Sequence, residues 1–456
     1  MKTIRVLQEH IRISDPHITS DNADRLSILG NTFEPLMRSG ANGTFSPCLA
    51  ESWTLSDDAR TWTFNIRSDK RFQNGESLVA DDVVFSLRRM RDEDIPGELG
   101  TSGVIRSYLA ASEIDKTGSQ VTLRTPEPMA DLVDLLCEIP ILSDTSVAAL
   151  PDRYIGTGDF RIEEKDDAML IQESENQRIV WNAEPDPEAR LGAVREGEAD
   201  IASGLSTHHA DDNSLRIVGS PTSVCATFMF NFDTEAAQNV HLRRAVNLAV
   251  DVDALVKDVM HGAAVPLNGP LTSRHLGFDA GVQTWPYDPD AAMREIELGN
   301  CSGAEILIDI PSRLPDEAPL LGERVADYLR AVGLNPAIRI EEDRPEYAMR
   351  VRDRRIGTMA CFDSSPGSTF RVFREKFHSG FAGPWWLGYS NIDFDALVDR
   401  AQKTQEPEAR QVLYQKAYAI LRNEAPWLFL YSPLRLTAVA PSLNDWSPST
   451  GGLLLF

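Results

Sequence analysis

A single hydrophobic core cannot organise a chain of 456 residues, because cores usually stop growing at about 250–300 residues. We therefore expect two or more domains. Strand patterns and helix patterns are mixed along the whole chain, and no segment repeats at a fixed period. The mixture predicts an α/β architecture, and the lack of a repeat excludes a solenoid or a propeller.

Local patterns favour strands in the first half and helices in the second. Alternating side chains predict a strand over residues 61–67, residues 121–124 and 169–172 are also strand-like, and Asn74-Gly75 predicts a tight turn. Acidic residues near the start of residues 79–87 favour a helix N-terminus. Apolar spacing predicts later helices at residues 241–250, 252–260, 320–332, 393–403 and 407–423, followed by an apolar strand at residues 427–431.

The charge of the chain excludes one class of partner. Lys and Arg number 45 against 69 Asp and Glu, so the formal net charge is -24. Such a surface repels nucleic acid and anionic membrane faces, and no basic stripe offsets it. We therefore expect no nucleic-acid partner. No apolar run approaches the roughly 20 residues that a membrane-spanning helix needs.

The N-terminus and the cysteines bear on the cellular compartment. Residues 1–7 pass directly into a strand pattern without the apolar region of a secretory signal, so either a signal has been removed or the protein is cytoplasmic. The cysteines are widely spaced, form no Cys-x-x-Cys pair and are odd in number. Buried free thiols are the simplest interpretation of Cys48, Cys137, Cys225, Cys301 and Cys361.

Several short motifs follow one another in the first fifth of the chain. Asp-Pro-His at residues 15–17 and Asn-Thr-Phe-Glu-Pro-Leu-Met at residues 31–37 come first. They are followed by Leu-Ala-Glu-Ser-Trp at 49–53, Trp-Thr-Phe-Asn-Ile-Arg at 62–67, Phe-Gln-Asn-Gly at 72–75 and Ala-Asp-Asp-Val-Val-Phe-Ser-Leu at 80–87. This ordered run resembles the family 5 extracellular solute-binding proteins, the peptide-, nickel- and opine-type receptors of bacterial ABC importers.

The resemblance continues along nearly the entire chain. Gly-Thr-Gly-Asp-Phe at residues 156–160 is similar to the family's Gly-Thr-Gly-Pro-Tyr/Phe turn, with Asp159 in place of Pro. Later matches are Phe-Asn-Phe-Asp at 230–233, Leu-Arg-Arg-Ala-Val-Asn-Leu-Ala-Val-Asp at 242–251, Tyr-Asp-Pro-Asp-Ala-Ala at 287–292, and residues 389–397 and 425–427.

The resemblance implies an α/β, two-lobed periplasmic-binding-protein fold of type II, in its large peptide-binding class. Residues 1–226 and 433–456 would form lobe I, with an extra subdomain at about 41–150, and residues 227–432 would form lobe II. Crossings near residues 225–231 and 428–433 would act as hinges. In proteins of this kind the lobes close around a small molecule.

The resemblance also implies ligand contacts in residues 359–366. In peptide-binding members an Asp of a Gly-Trp-x-x-Asp segment receives the ligand's amino group. Asp363 aligns with it if one residue is deleted before Pro366, and Cys361 stands where an aromatic is usual. We therefore expect Asp363, Cys361 and Phe362 to contact the ligand. The alternative is that Asp363 caps a turn beside Ser364.

Other candidates come from side-chain chemistry. Trp385 and Trp386, bracketed by Gly and Pro, suit a loop that stacks on a ligand, with packing beneath the loop as the alternative. Arg371 and Arg374 suit a ligand carboxylate or phosphate, with a solvated helix face as the alternative. Further candidates in the first lobe and at the hinge are Asn31, Thr32, Phe33 and Asn231.

Metal binding and catalysis receive less support. His208-His209, near Asp211 and Asp212, invites a metal interpretation, but a surface loop is simpler, so we predict no metal site and no cofactor. The sequence has no Gly-x-Ser-x-Gly elbow, no His-Glu-x-x-His, no Walker loop and no Gly-x-Gly-x-x-Gly opening a helix. We therefore predict that the protein is not an enzyme.

Together these observations predict a monomeric solute-binding protein of an ABC importer. It would capture a small polar organic solute, such as a peptide or an opine-like conjugate, by hinge closure and deliver it to a membrane permease. The location would be periplasmic, or cytoplasmic if Met1 is the native start. A cytoplasmic ligand sensor and a repurposed enzyme on the same fold are the alternatives.

Overall fold

The computed structural model describes residues 1–18, 20–40, 43–97, 103–282, 284–313, 317–383 and 385–456. The chain divides into two compact units. Unit 1 comprises Met1–Ser220 and Arg435–Phe456, and unit 2 comprises Pro221–Leu434.

The strands of unit 1 are short. They are β1 (Lys2–Gln8), β2 (Met37–Ser39), β3 (Phe45–Pro47), β4 (Ala50–Leu55), β5 (Thr61–Ile66), β6 (Glu113–Thr117), β7 (Gln120–Arg124), β8 (Arg161–Lys165), β9 (Met169–Glu173), β10 (Gln177–Ala183), β11 (Ile201–Ser203) and β12 (Arg216–Pro221). The helices are α1 (Ala23–Thr32), α2 (Ala80–Asp92), α3 (Val104–Leu109), α4 (Leu132–Leu136), α5 (Asp144–Ala148) and α6 (Pro187–Arg195), with a 3₁₀ helix at Thr207–His209.

The main sheet of unit 1 runs in the order β11-β1-β10-β9-β8. β1 is parallel to β10 and β11, and β10, β9 and β8 are antiparallel. Alternation along β1 buries Ile4 and Val6, which lie opposite Ile179 and Trp181 of β10. The C-terminal segment completes this core, because Leu454 is fully buried in it and the Phe456 ring lies edge-on to Trp181.

A second sheet of unit 1, in the order β4-β5-β7-β6, is antiparallel throughout. It lies within the predicted extra subdomain at about 41–150, but the division into compact units does not separate it from unit 1. A separate subdomain there stays a prediction. The predicted helix start near residue 79 is confirmed, since the Val79 N–H donates to the Asp82 carboxylate over 2.8 Å at the start of α2.

Unit 2 has fewer strands and more helices. The strands are β13 (Cys225–Phe230), β14 (Ala264–Pro266), β15 (Glu305–Pro311), β16 (Asn335–Glu341), β17 (Met359–Ser364) and β18 (Trp427–Val439). The last residues of β18, from Arg435 onward, belong to unit 1. The helices are α7 (Glu235–Gln238), α8 (Val240–Ala249), α9 (Val252–Asp258), α10 (Pro289–Leu298), α11 (Ala318–Ala331), α12 (Arg344–Arg352), α13 (Thr369–Lys376), α14 (Ile392–Gln402) and α15 (Pro407–Glu424).

The sheet of unit 2 runs in the order β16-β15-β17-β13-β18. β15 is parallel to β16 and β17, whereas β13 is antiparallel to β17 and β18. One face carries Phe228 and Cys361 into a core shared with α8 to α11. On the opposite face Trp427 meets Phe377, next to α13, with ring centroids 4.5 Å apart. Helices therefore cover both faces, and the α/β prediction is confirmed.

The limits of the units differ slightly from the predicted domain limits. The chain passes between units at residues 220/221 and 434/435, not at 226/227 and 432/433. The reason is strand pairing, because Cys225 and Ala226 already pair with β17, and Pro433 still pairs with Ala264. β18 also continues to Val439, well beyond the predicted strand end at Tyr431. The hinge role of these crossings stays a prediction.

Two further properties concern membranes and thiols. Among the described residues no helix is both long enough and apolar enough to cross a bilayer. All five cysteines are free, and Cys48, Cys225 and Cys361 are buried. Burial raises the pKa of the Cys361 thiol well above its ordinary value, so this thiol is inert.

Candidate functional site

The predicted contacts at the end of α1 are engaged by the protein itself. The Asn31 amide donates to the Ser27 and Leu454 carbonyls and accepts from the Phe456 N–H. The Thr32 hydroxyl donates to the Phe160 carbonyl over 2.8 Å, and Phe33 is buried in a small apolar cluster. These side chains anchor the C-terminal segment and the turn at residues 156–160. Their predicted role as ligand contacts stays a prediction.

Asn231 has a similar structural role in unit 2. It is almost fully buried, and its amide donates to the Arg354 and Ile356 carbonyls while its side-chain oxygen accepts from the Asp233 N–H. Its hydrogen-bonding groups hold the segment before β17. These groups already have partners within unit 2, and ligand contact by Asn231 stays a prediction.

β17 separates the three candidates predicted on it. Successive side chains of a strand point to opposite faces, so Cys361 and Asp363 share one face and Phe362 lies on the other. Cys361 faces the apolar core, and its carbonyl accepts from the Tyr347 hydroxyl over 2.6 Å. Cys361 therefore has a structural role in the strand, and ligand contact by it stays a prediction. Asp363 is half-buried near the carboxyl end of β17.

Phe362 and Trp385 form an aromatic platform on the other face. Their ring centroids are 4.8 Å apart and the rings are tilted by 36°. Two cations flank this platform. The Arg344 guanidinium lies 5.3 Å from the centre of the Phe362 ring, and the Lys376 ammonium lies 5.2 Å from the centre of the Trp385 ring. The sequence analysis identified both aromatic residues but neither cation.

The platform stands at the carboxyl edge of the three parallel strands. Arg344 begins α12 just after β16 ends, and Phe362 lies in the last half of β17. Open α/β sheets bind their ligands outside the carboxyl ends of the strands, where loops converge and the edge is open. The geometry therefore marks this edge as the candidate site of unit 2.

Lys376 is the most unusual group at this site. It is 4% exposed, and within the described residues no carboxylate forms an ion pair with it, since the neighbouring Glu375 is paired with Arg371 at 3.0 Å. Burial lowers the pKa of Lys376 to about 7, and the Arg371 charge adds to this effect while Glu375 opposes it. A buried ammonium without a carboxylate partner is well suited to receive an anion.

The predicted arginines are held within unit 2. Arg371 is 7% exposed and paired with Glu375, so it does not lie on a solvated face. Arg374 donates to the Gln402 side chain over 2.8 Å, and its guanidinium lies 4.6 Å from the centre of the Phe381 ring. These contacts give both arginines structural partners. Direct ligand contact by either one stays a prediction.

Trp386 is tied into its own loop. Its indole N–H donates to the Tyr389 carbonyl over 2.6 Å, and the Arg354 guanidinium lies 5.4 Å from its ring. The donor of this indole is therefore occupied, whereas its partly exposed ring leaves stacking on a ligand as a prediction. Pro384, which precedes the pair in sequence, lies outside the described residues.

Two buried hydroxyls were missed by the sequence analysis. The Ser364 Oγ and the Tyr431 hydroxyl are buried and have no hydrogen-bond partner among the described residues. Ser364 follows Phe362 on the same face of β17, whereas Tyr431 lies opposite Ala226. The only signal in the sequence was the Asp-Ser-Ser-Pro string, which suggested a turn. An unsatisfied hydroxyl at the carboxyl edge is a donor that a ligand can use.

Asp309 holds together the elements that carry the site. Its buried carboxylate accepts from Arg339 Nε over 2.6 Å, from Arg350 Nη2 over 3.0 Å and from the Gly357 N–H over 2.7 Å. These partners belong to β16, to α12 and to the segment that leads into β17. One carboxylate on β15 thus fixes the supports of Arg344 and Phe362.

The Trp385 loop packs directly on the backbone of α13. A Cβ placed on Gly383 would lie 2.5 Å from the Glu375 carbonyl oxygen, which is too close. We expect Gly383→Ala to displace the loop and weaken solute binding by about tenfold or more. Calorimetry with the solute tests this, and Gly367→Ala serves as a control because its Cβ would meet nothing within 4 Å. Equal affinity in Gly383→Ala and the parent protein would contradict the expectation.

Groups able to hold a metal lie elsewhere. In the described part of the chain, three-residue sets of metal-ligating side chains occur at Glu188, His208 and His209 and at Glu9, His10 and Asp24. Both sets belong to unit 1, and neither includes a residue of the aromatic platform.

Comparison with known proteins gives consistent matches. A family model for bacterial extracellular solute-binding proteins, family 5, middle, matches residues 44–366. The chain is 26% identical to heme-binding protein A of Haemophilus influenzae, over 89% of this chain and 82% of that protein. It is 25% identical to the dipeptide-binding protein of Escherichia coli strain K12, over 84% and 80%. HbpA2 of Haemophilus parasuis superposes with a TM-score of 0.85 at 18% identity, over 99% and 98%.

Proposed function

Because the chain belongs to the bacterial extracellular solute-binding proteins of family 5, we propose that it captures a small polar organic solute for the membrane permease of an ABC importer. We further propose that it acts as a monomer, outside the cytoplasm, without catalysing a reaction and without a nucleic-acid partner. The net charge of -24 supports the last point. Its relatives are named for heme and for dipeptides, so membership alone leaves the solute open.

The class of ligand is inferred from one observation: the buried Lys376 ammonium lies against the Trp385 ring. An anionic group on the solute, either carboxylate or phosphate, would neutralise this buried charge, and a flat apolar part would stack on Phe362 and Trp385. Arg344, on the other side of the platform, would receive a second acidic group.

Asp363 extends this proposal to a zwitterionic solute. Asp363 lies near the carboxyl edge of β17, on the face opposite Phe362, so a solute that meets both residues must extend around this edge. We propose that Asp363 receives the amino group of the solute. A peptide or an opine-like conjugate carries both an amino group and a carboxylate.

A thermal-shift screen followed by calorimetry tests the proposal. The panel pairs each acidic peptide, opine or phosphate ester with its neutral ester or amide. A solute at 100 times its Kd should add about 2.7 kcal/mol of stability, and we expect only the charged member of a pair to do so. Asp363→Asn should weaken binding of the amino form and leave a deaminated analogue unaffected. Equal stabilisation by neutral analogues would contradict the anion site, and recovery of a chemically altered solute would contradict the receptor role.

A further inference from the structure

Three metal-ligating side chains converge in unit 1. Glu188 lies in the first turn of α6, and His208 and His209 lie in the 3₁₀ helix Thr207–His209. The Nε2 atoms of both histidines lie 2.6 and 2.7 Å from the same oxygen, Oε1 of Glu188. The two imidazole rings are 4.1 Å apart between centroids. The two adjacent histidines thus point the same ring nitrogen, Nε2, at one carboxylate oxygen of Glu188.

The three side chains differ in burial, and therefore in how firmly the protein holds each of them. The side chain of His209 is 6% exposed, and its Nδ1 atom is buried, so Nε2 is the ring nitrogen that faces the other two ligands. The side chains of His208 and Glu188 are 52% and 60% exposed. One ligand is therefore fixed by the protein, and the other two leave an open approach from solvent.

We propose that Glu188, His208 and His209 bind one divalent transition-metal ion of the Zn²⁺ or Ni²⁺ class. Two imidazole nitrogens and one carboxylate oxygen are a ligand set that such ions accept, with water in the remaining positions. Ca²⁺ and Mg²⁺ prefer sets made of oxygen alone and are excluded by the two imidazoles. The strongly acidic surface raises the local concentration of cations. This site uses none of the residues of the proposed solute site.

The second set, Glu9, His10 and Asp24, is less suited to hold a metal ion. Asp24 is paired with Arg435 at 2.5 Å, and its other oxygen lies 3.6 Å from His10 Nδ1. A guanidinium already neutralises this carboxylate, and only one imidazole is present. Around Glu188 no arginine or lysine pairs with the carboxylate among the described residues, and its partners are the two imidazoles. The two sets therefore provide a matched pair for experiment.

The test is calorimetry of the untagged, metal-stripped full chain with Zn²⁺ and with Ni²⁺. We expect one ion per chain, with Glu188→Gln and His208→Ala each weakening binding by at least about tenfold, because even changes behind the ligands of metal sites commonly cost 10–100-fold. His10→Ala should leave the affinity unchanged. Both tested side chains are exposed, so the variants should fold, and retained solute-induced thermal shifts would verify this. The visible absorption of bound Co²⁺ gives a second readout of imidazole ligation.

Two results with Zn²⁺ and Ni²⁺ would overturn the proposal, and a third with Ca²⁺ would contradict its ligand set. One is absence of any ion bound by the parent protein under these conditions. The other is equal affinity of the parent, Glu188→Gln and His208→Ala proteins, which would assign the bound ion to other groups. Binding of Ca²⁺ as tightly as Zn²⁺ would also count against it, since it would indicate a site made only of carboxylates.

Discussion

Binding of an anionic solute should weaken about tenfold for each pH unit above 7, because Lys376 must take up a proton to pair with the anion. In the free protein burial lowers the pKa of Lys376 to about 7, so the amine is mostly neutral at higher pH. The bound anion favours the ammonium and raises this pKa. Each pH unit above 7 then adds about 1.4 kcal/mol to the free energy needed for binding. Below pH 7 the ammonium is already present, and the affinity should level off.

Calorimetry at several pH values, in buffers of different ionisation enthalpy, measures both the affinity and the protons taken up. Lys376→Met should bind weakly at every pH and take up no proton, whereas Lys257→Met, at an exposed position on α9, should behave like the parent protein. An affinity that stays constant between about pH 6 and pH 9 in the parent protein would exclude Lys376 as the anion partner.

The same lysine affects stability in the opposite direction. Its pKa is lower in the folded protein than in the unfolded chain, so the unfolded chain binds the extra proton between pH 7 and 10.5, the ordinary pKa of a lysine. Stability should therefore rise with pH over this window. Lys376→Met should stabilise the solute-free protein at pH 7 by at least about 1 kcal/mol while it impairs binding. A residue with only a structural role would not separate the two effects.

Asp309→Ala should destabilise unit 2 by up to about 3 kcal/mol, because the mostly buried Arg350 and the Gly357 N–H lose their shared carboxylate, while the partly exposed Arg339 loses less. Urea unfolding of the full chain measures the loss, and hydrogen exchange of amides in β15 and β17 localises it. Asp327→Ala is the matched control, since its pair with Arg330 is exposed on both sides and should be worth less than about 1 kcal/mol.

Asp309→Asn separates charge from packing. It keeps the size of the side chain and removes its charge, so an amide oxygen at the Oδ2 position still accepts from the Gly357 N–H and Arg339 Nη2, while Arg339 Nε and Arg350 Nη2 lose their acceptor. We expect its stability to lie between that of the parent protein and that of Asp309→Ala. If Asp309→Ala proves no more damaging than Asp327→Ala, the carboxylate does not hold these elements together.

Much of the fold could be predicted because it depends on local spacing. Strand-like patterns identified β5, β7 and β9, and apolar spacing identified α8, α11, α14 and α15. The aromatic platform was also accessible, since both Phe362 and Trp385 were named as contacts. Its two cations were not, because a lysine or arginine on a helix is ordinarily solvated. The burial of Lys376 becomes visible only in the structure, where the loop at Gly383 packs against α13.

The predicted contacts whose polar groups already have partners in the protein share one feature. Asn31, Thr32 and Asn231 are polar residues inside recognisable motifs, and their partners are main-chain groups far away in sequence, such as Leu454, or in another segment of the fold. The sequence alone cannot distinguish a polar side chain whose hydrogen-bonding groups are taken by the backbone from one that is available to a ligand. Glu188 was not predicted as a partner of His208 and His209, because it lies on a different helix, about 20 residues away in sequence.

The interlock between the Asn31 amide and the main chain at Leu454 and Phe456 has a consequence for biosynthesis. Domains tend to fold as units during translation, N-terminal first. Here the contiguous unit 2 is fully synthesised by Leu434, whereas unit 1 still lacks residues 435–456, including the core residue Leu454. Synthesis of unit 1 therefore begins before that of unit 2 and is completed after it. Until residue 456 is available, we expect the apolar core of unit 1 to remain incomplete.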